Sequence, residues 1–522
     1  MTARGMVHGA QSRYGWLAWL LLAVALAVPG SMAGIALPVA GAPGPDEAGP
    51  VSGHYEIDVV FDPERRTLTG SIALEWTNLT GVAAHVLPFR LYPASDYYPD
   101  GDLSVSNVRV YDEEVDAQAT GDGTVLEVFL GYAVEPMART RVTMDFETTI
   151  PTESAMSVTV LAGSSEDGWW LADWYPILAG WTPGEGWYLE GATPFGDPTF
   201  SDTATYEVTL SAPGDLRVVG TGEAVASSSA GDGLVRTSIA TGPVREMTLA
   251  LLADTADSPV EVTERVIDGV LVRVSLPAGK AVPGLAEAML EIAGETLPHY
   301  QAWMGAYPGV DLDLSPVSLS GFGGIAWSGA VWIDIETIVN AGEVNPTDRD
   351  RLRFVLAHEL AHQWVPVVVG SNNNRHGFLS EGLGNTLAVL AIRESGDAAA
   401  ADRYLRDQVA AGYLRLLESG VDGVADAPVG PETDMGQRGV LVYGKAAIGF
   451  EAIRRAVGHE AFIEALRRYG EDFRFANTVP EDLSRTLEEV SGMGLDNLWS
   501  FWFLEAGCTP DDVHAVLDGF SG

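Results

Sequence analysis

The chain has 522 residues, 47% of them apolar, enough to bury two large cores or three smaller ones. Acidic residues outnumber basic ones 72 to 30, and the resulting formal charge of -42 repels a phosphate backbone and excludes nucleic acid as a partner. The single cysteine, Cys508, leaves no intramolecular disulfide and no cysteine-rich zinc cluster, so any metal must be held by histidines and carboxylates. The acidity forms no long single-sign block, and its ordinary meaning is solubility.

In chain order, Arg4 and Arg13 precede an apolar run from Trp16 to Val28, followed by Pro29, Gly30 and the small-residue stretch Ser31-Met32-Ala33. That pattern predicts a signal peptide over residues 1–33, cleaved after Ala33 or, alternatively, after Ala42. The run of about 13 residues is shorter than the roughly 20 that cross a bilayer, so a permanent anchor is the second reading. A secreted or extracytoplasmic protein is expected, membrane-bound only through this segment if it is uncleaved. Residues 34–52 read as a Pro/Gly-rich linker.

From residue 53 to residue 276, short runs such as His54-Tyr-Glu-Ile-Asp-Val-Val and Ala204-Thr-Tyr-Glu-Val-Thr-Leu alternate apolar and polar side chains. This predicts an antiparallel β-sandwich or saddle domain with one wet face. The Asn78-Leu-Thr80 sequon falls here, as does the aromatic group Trp169, Trp170, Trp181 and Trp187. Such tryptophans either line a groove or, as in most β-domains, fill the core. Residues 277–522 switch to helical periodicity, in runs 282–304, 348–369, 380–394, 401–419, 439–457 and 460–469. Between the first two lies a β-like stretch, 311–335, broken by Gly321, Gly323, Gly324 and Gly329, where backbone can approach a ligand closely; alone, it reads as a bulged edge strand. The fold class is therefore α+β and multidomain.

The chemistry falls in the helical half. Arg351-Leu-Arg-Phe-Val-Leu-Ala-His358-Glu359-Leu-Ala-His362 contains H-E-x-x-H, in a helix started by Asn345-Pro346 or capped by Thr347. Histidines four apart are offset by about 40° and one turn, so both imidazoles can address one ion, with Glu359 close enough to take a proton from water. Glu381, in Phe378-Leu-Ser-Glu-Gly-Leu-Gly-Asn, is separated from His362 by 18 residues. That length allows one helix to end near Gly370 and a second, capped by Ser380, to present the carboxylate in its first turn. Two histidines and one carboxylate suit one Zn2+ with an open fourth position, which signifies catalysis.

With these segments on view, the chain resembles the gluzincin metallopeptidases of the aminopeptidase N type, through His358-Glu-Leu-Ala-His-Gln-Trp and Ser380-Glu-Gly-Leu. The resemblance implies a thermolysin-like, mainly helical zinc peptidase domain over residues 277–522, with His358, His362 and Glu381 as ligands and Glu359 as general base. Val442-Tyr443-Gly-Lys-Ala is similar to the family's Tyr-x-Lys-Gly segment, which implies that Tyr443 stabilises the oxyanion; apart from the resemblance it reads as a packed aromatic. The segments Phe89-Arg-Leu-Tyr92, Trp174-Tyr-Pro-Ile177 and Gly196 to Asp202 resemble the family's β-saddle domain. The chain stops soon after Leu495 to Phe503, which resembles the end of the family's catalytic domain and implies an open or shorter groove.

One motif departs from the family. Its aminopeptidases carry Gly-x-Met-Glu-Asn, whose glutamate holds the substrate's amino terminus; the matching run here is Gly323-Gly324-Ile325-Ala326-Trp327. A methyl group cannot pair with an ammonium ion, which costs roughly 1.5 to 3 kcal/mol. The backbone of Gly323, Gly324 and Ala326 can still pair with an extended peptide, so endopeptidase or altered exopeptidase action is expected in place of strict aminopeptidase action. A carboxylate supporting the histidines would fit two turns after Glu381, where Ala388 stands. The competing reading is a zinc-retaining but inactive peptide-binding or scaffold protein at the cell surface. Nothing in the sequence specifies an oligomeric state.

Overall fold

The structure, a computed structural model, describes residues 50–520 except 97, 99, 152–160, 165–167, 192–198, 310, 318, 320–322, 340–343 and 431–432. The expected signal segment, nearly all of the linker, Gly321 and residues 196–198 lie outside the described residues. No helix among the described residues is long and apolar enough to cross a membrane.

The amino-terminal half is built on an eight-stranded sheet with Ala204–Pro213, Gly53–Asp62, Thr67–Thr77 and Arg139–Thr149 at its centre. In Gly53–Asp62 the alternation works as expected: Tyr55, Ile57, Val59 and Phe61 point inward while Glu56, Asp58 and Val60 stay outside. Two four-stranded sheets, one containing Ala84–Arg90 and Val125–Val134 and the other Gly168–Leu171 and Leu249–Ala253, complete the domain. The antiparallel expectation needs one correction. Gly53–Asp62 runs parallel to Ala204–Pro213, which sets Tyr55 opposite Tyr206 with their rings stacked at 4.7 Å. Trp169 and Trp170 are core residues, and Trp181 packs edge-on against Trp187 across a short hairpin, so the tryptophans pack and do not line a groove. Asn78 is also structural: its amide donates to the carbonyls of Val82 and Val134, both at 2.7 Å, and its oxygen accepts from Thr80.

The expected boundary at residue 276 falls inside a sheet. Glu261–Ile267 and Val270–Leu276 belong to a five-stranded sheet in which Val270–Leu276 lies parallel to Asp311–Val317, followed by Ala330–Asp334 and the edge strand Gly324–Trp327. Strand periodicity shows which residues face inward but not which sheet receives them. Val272, Val274 and Leu314 share one core with the helices, through Leu297, Leu356, Phe378 and Phe503. The pair Glu261–Ile267 and Val270–Leu276 thus packs with the helices. The carboxy-terminal half also contains helices Pro480–Ser491 and Pro510–Phe520, beyond the periodic runs read from the sequence.

The two halves are joined by a buried guanidinium. Arg245, at the end of the β-domain, donates to the carbonyls of Ser201 (2.8 Å), Val367 (2.7 Å) and Ala476 (3.0 Å) and to Asn477 Oδ1 (2.6 Å).

Candidate metal centre

Helix Pro346–Ala361 starts where expected: the Asn345 side chain accepts from the backbone N–H groups of Thr347 (2.8 Å) and Asp348 (3.1 Å), and Asp348 completes a capping box. Its end comes earlier than residue 369. His362 is already the C-cap, because Pro366 has no N–H to continue the ladder and its ring would clash with the carbonyl four residues back. The two histidines still share a face, with Nε2 atoms 3.0 Å apart and ring planes at 83°.

The second helix begins sooner than expected. Asn372 caps Asn373–Glu394, the chain is non-helical at His376, and Ser380 is buried inside the helix. Asn372 wins the capping role because its oxygen reaches the Asn374 N–H at 3.1 Å. Glu381 thus projects from a turn beyond the kink and not from the first turn. Its Oε2 lies 3.2 Å from His358 Nε2 and 3.4 Å from His362 Nε2. Donors held tetrahedrally around zinc at ~2.0–2.2 Å stand ~3.3–3.6 Å from one another. The triangle of 3.0, 3.2 and 3.4 Å comes within a few tenths of an ångström of that spacing, so the three residues fit one zinc ion.

The electrostatics are those of a charged pair awaiting a cation. Burial opposes charge on His362, but Glu381 outweighs it and raises the imidazole to about 9. Glu381 is held well below the usual carboxylate range despite its burial, by His362 and His358. Uptake of a metal must therefore release a proton. The ring of His362 is oriented by its Nδ1–H, which donates to the Val365 carbonyl at 2.7 Å, while Ser380 Oγ lies 3.4 Å away. No carboxylate does this: Ala388 is part of the core, and His358 Nδ1 has no partner among the described residues.

Two glycines explain how a helix comes so near the ligands. A Cβ on Gly384 would lie 3.1–3.3 Å from both imidazoles, and one on Gly382 would lie 2.5 Å from Ala446 Cβ. Glycine in a helix usually weakens it, so Ser380-Glu-Gly-Leu-Gly carried a signal for close approach that helical periodicity alone does not expose.

Glu359 is buried beside the donors, and burial raises its carboxyl against the pull of His358 and His362. The edge strand Gly324–Trp327 passes next to it, and a Cβ on Gly324 would lie 2.7 Å from Glu359 Cγ. Ala326, two residues on, shares that face, so its methyl group stands along the cleft where an acid would be needed to bind an ammonium ion. Gly323 lies just before the strand, and its carbonyl accepts from the Asp334 N–H at 2.9 Å.

Tyr443 sits on a π-helical turn, Val440–Lys445. Its ring is 42% exposed and stands 5.8 Å from that of His358, so it lines the cleft and is not a packed core aromatic. Its hydroxyl donates to Glu381, and its carbonyl accepts from Asn385 Nδ2 at 3.1 Å. Asn385 was not legible as a site residue, since nothing in its spacing pairs it with Tyr443.

Residues 289–502 match the model of the peptidase family M1 domain. This stretch of the chain is similar to that family. The match encloses His358, Glu359, His362, Glu381 and Tyr443, and the first, third and fourth of these form a donor set that fits a single zinc. Over 346 residues the chain is 24% identical to a puromycin-sensitive aminopeptidase of Caenorhabditis elegans, covering 64% of this chain and 35% of that protein. Over 312 residues it is 25% identical to aminopeptidase M1 of Arabidopsis thaliana, covering 58% and 34%. The chain thus spans about a third of the length of these relatives. Among solved structures, an M1 zinc metallopeptidase from Deinococcus radiodurans matches with a TM-score of 0.60 at 17% identity, over 89% of this chain and 96% of that one. A mutant of it bound to a Tyr-Ser-Ala substrate matches with a TM-score of 0.60 at 19% identity, over 87% and 93%. Both share this chain's fold.

Within the matched stretch, Gly324 yields a direct prediction. Alanine there forces the Glu359 side chain aside without touching a zinc donor. Gly324→Ala is expected to keep its zinc and lose peptide cleavage by about a hundredfold, the usual effect of a 1 Å misplacement. Metal analysis alongside steady-state rates checks this, and unchanged turnover would refute the contact.

Proposed function

We propose that the protein is an exported, zinc-dependent peptidase that hydrolyses peptide bonds without requiring a free amino terminus. One observation supports it above the others: the 3.0–3.4 Å triangle of His358, His362 and Glu381 has Glu359 at its side and Tyr443 facing the same cleft. Zinc, when bound, supplies Lewis-acid charge at the scissile carbonyl and makes the attacking water more acidic. Glu359 accepts the proton of that water on its carboxylate and then delivers it to the leaving amine. The Tyr443 hydroxyl donates to the oxyanion, stabilising charge absent from the ground state. The backbone of Gly323, Gly324 and Ala326 aligns an extended peptide as an added strand on the edge of the five-stranded sheet.

The matched relatives are named aminopeptidases. Ala326 supports a looser preference here, because no acid stands at that position to hold an ammonium ion. Export rests on the basic, apolar and small-residue order of residues 1–33.

An unbiased peptide library incubated with the mature protein, with and without chelator, tests the reading. Chelator-sensitive cuts are expected, some of them internal. No cleavage by zinc-loaded protein would favour the binding or scaffold reading, and cuts confined to the first residue would restore strict aminopeptidase action.

A further inference from the structure

Arg438 is a buried cation with little to do. It lies on the short helix Met435–Gly439, is 9% exposed, and donates through Nη2 to the Asn373 carbonyl at 2.9 Å. Its Nε has no acceptor, and among the described residues the side chain makes no other hydrogen bond and no ion pair. A guanidinium has five N–H donors in a fixed fork, and burying one without a partner is costly.

Its placement is built. In a regular α-helix, residues five apart diverge by about 140°. Arg438 stands in the last turn of the helix that leads directly into the π-helical turn Val440–Lys445 carrying Tyr443, where the i→i+5 pattern reduces that divergence. Gly377 clears the other side: a Cβ there would lie 2.8 Å from Arg438 Nη2 and 3.3 Å from Nη1, so the guanidinium rests against the helix one turn before Glu381. The acids acting on its charge are Glu381, Tyr443 and Asp426. Two of these are committed elsewhere, Glu381 to the histidine pair and Asp426 to His376 at 2.7 Å. On the opposite wall, Ala326 offers no charge. Beside Glu381 there is therefore a fixed cation that has no carboxylate of its own among the described residues, while Ala326 supplies no acid to bind an ammonium ion.

We propose that Arg438 is a specificity-determining residue that receives a carboxylate of the substrate, directing the enzyme to peptides with an acidic group beside the scissile bond. The inference rests on the peptidase reading. A terminal carboxylate and an acidic side chain present the same chemistry, and the guanidinium fork suits either in bidentate fashion.

Matched blocked peptides separate the sources: one ending in a free carboxylate against its amide, and one with an internal Glu against its Gln twin. With the zinc-loaded native enzyme, one acidic member is expected to exceed its neutral twin in kcat/KM by roughly ten- to a hundredfold, mainly through KM, the worth of a charge-assisted pair. Arg438→Met should erase that ratio, and Arg438→Lys, which keeps the charge and loses the fork, should leave an intermediate one. Equal cleavage of both twins in both pairs by the native enzyme overturns the inference and leaves the peptidase reading intact. So does a variant that slows both members alike and preserves the ratio. If no peptide is cut at all, the peptidase reading fails and this inference with it.

Discussion

Glu359→Gln is expected to bind one zinc per chain, fold as the native protein does, and lose peptide cleavage by about 10²–10⁴-fold, the usual share of a general acid–base group. Glutamine has nearly the same shape as glutamate, so the close contact with Gly324 persists. Glu359 is no part of the donor triangle, so the ligand geometry of His358, His362 and Glu381 is untouched. The amide cannot accept the proton of the attacking water. Zinc content by atomic absorption, a thermal melt and single-substrate kinetics together decide it. Native-rate cleavage by the metal-loaded variant would remove Glu359 from the mechanism, whereas loss of zinc would show that the carboxylate also holds the ion.

The largest expected effect on stability lies away from the cleft, at Arg245→Ala. The native guanidinium is lowered to about 10 by burial and so remains charged at neutral pH, held by three carbonyls and Asn477 Oδ1. Truncation strips donors from two buried and two partly buried acceptors, each worth ~1–3 kcal/mol when left dry, and water entering the space recovers part of that. A net loss of about 3–5 kcal/mol is expected, read as a lower urea midpoint and as faster proteolysis. Arg245→Lys should not restore it, because one ammonium cannot span four acceptors arranged for a fork. An unchanged midpoint would mean that the apolar contacts between the halves suffice without this residue. Because Val367 follows the His362 turn closely, the variant should also hold zinc less tightly.

The histidine pair was legible because helical spacing fixes which residues share a face, whatever surrounds the helix, whereas Glu381, on another helix, was read from its separation from His362 and from the resemblance. Helix ends were less legible. Pro366 ended the first helix eight residues before residue 369, and Asn372 displaced Ser380 as cap, since several Asn and Ser residues compete for the role in that run. Partner choice was hidden altogether. The strands between Glu261 and Leu276 alternate like those of the β-domain but pair with Asp311–Val317, and no local pattern encodes that. Gly384, Asn385 and Arg438 were missed for a related reason: each matters through a neighbour distant in sequence, an imidazole, a tyrosine carbonyl or a kinked turn.

The tether from Asn385 to the Tyr443 carbonyl has a mechanical corollary. Asn385 stands one helical turn past Glu381, so the phenol-bearing segment and the carboxylate-bearing helix are yoked. Swinging the phenol aside to admit a bulky chain would exert leverage on the ion's own anchor. Any widening is therefore expected along its other wall, the edge strand Gly324–Trp327, which pairs with a strand on one side and is tied to the end of the metal-bearing helix by Gln363, whose Nε2 donates to the Trp327 carbonyl at 2.9 Å.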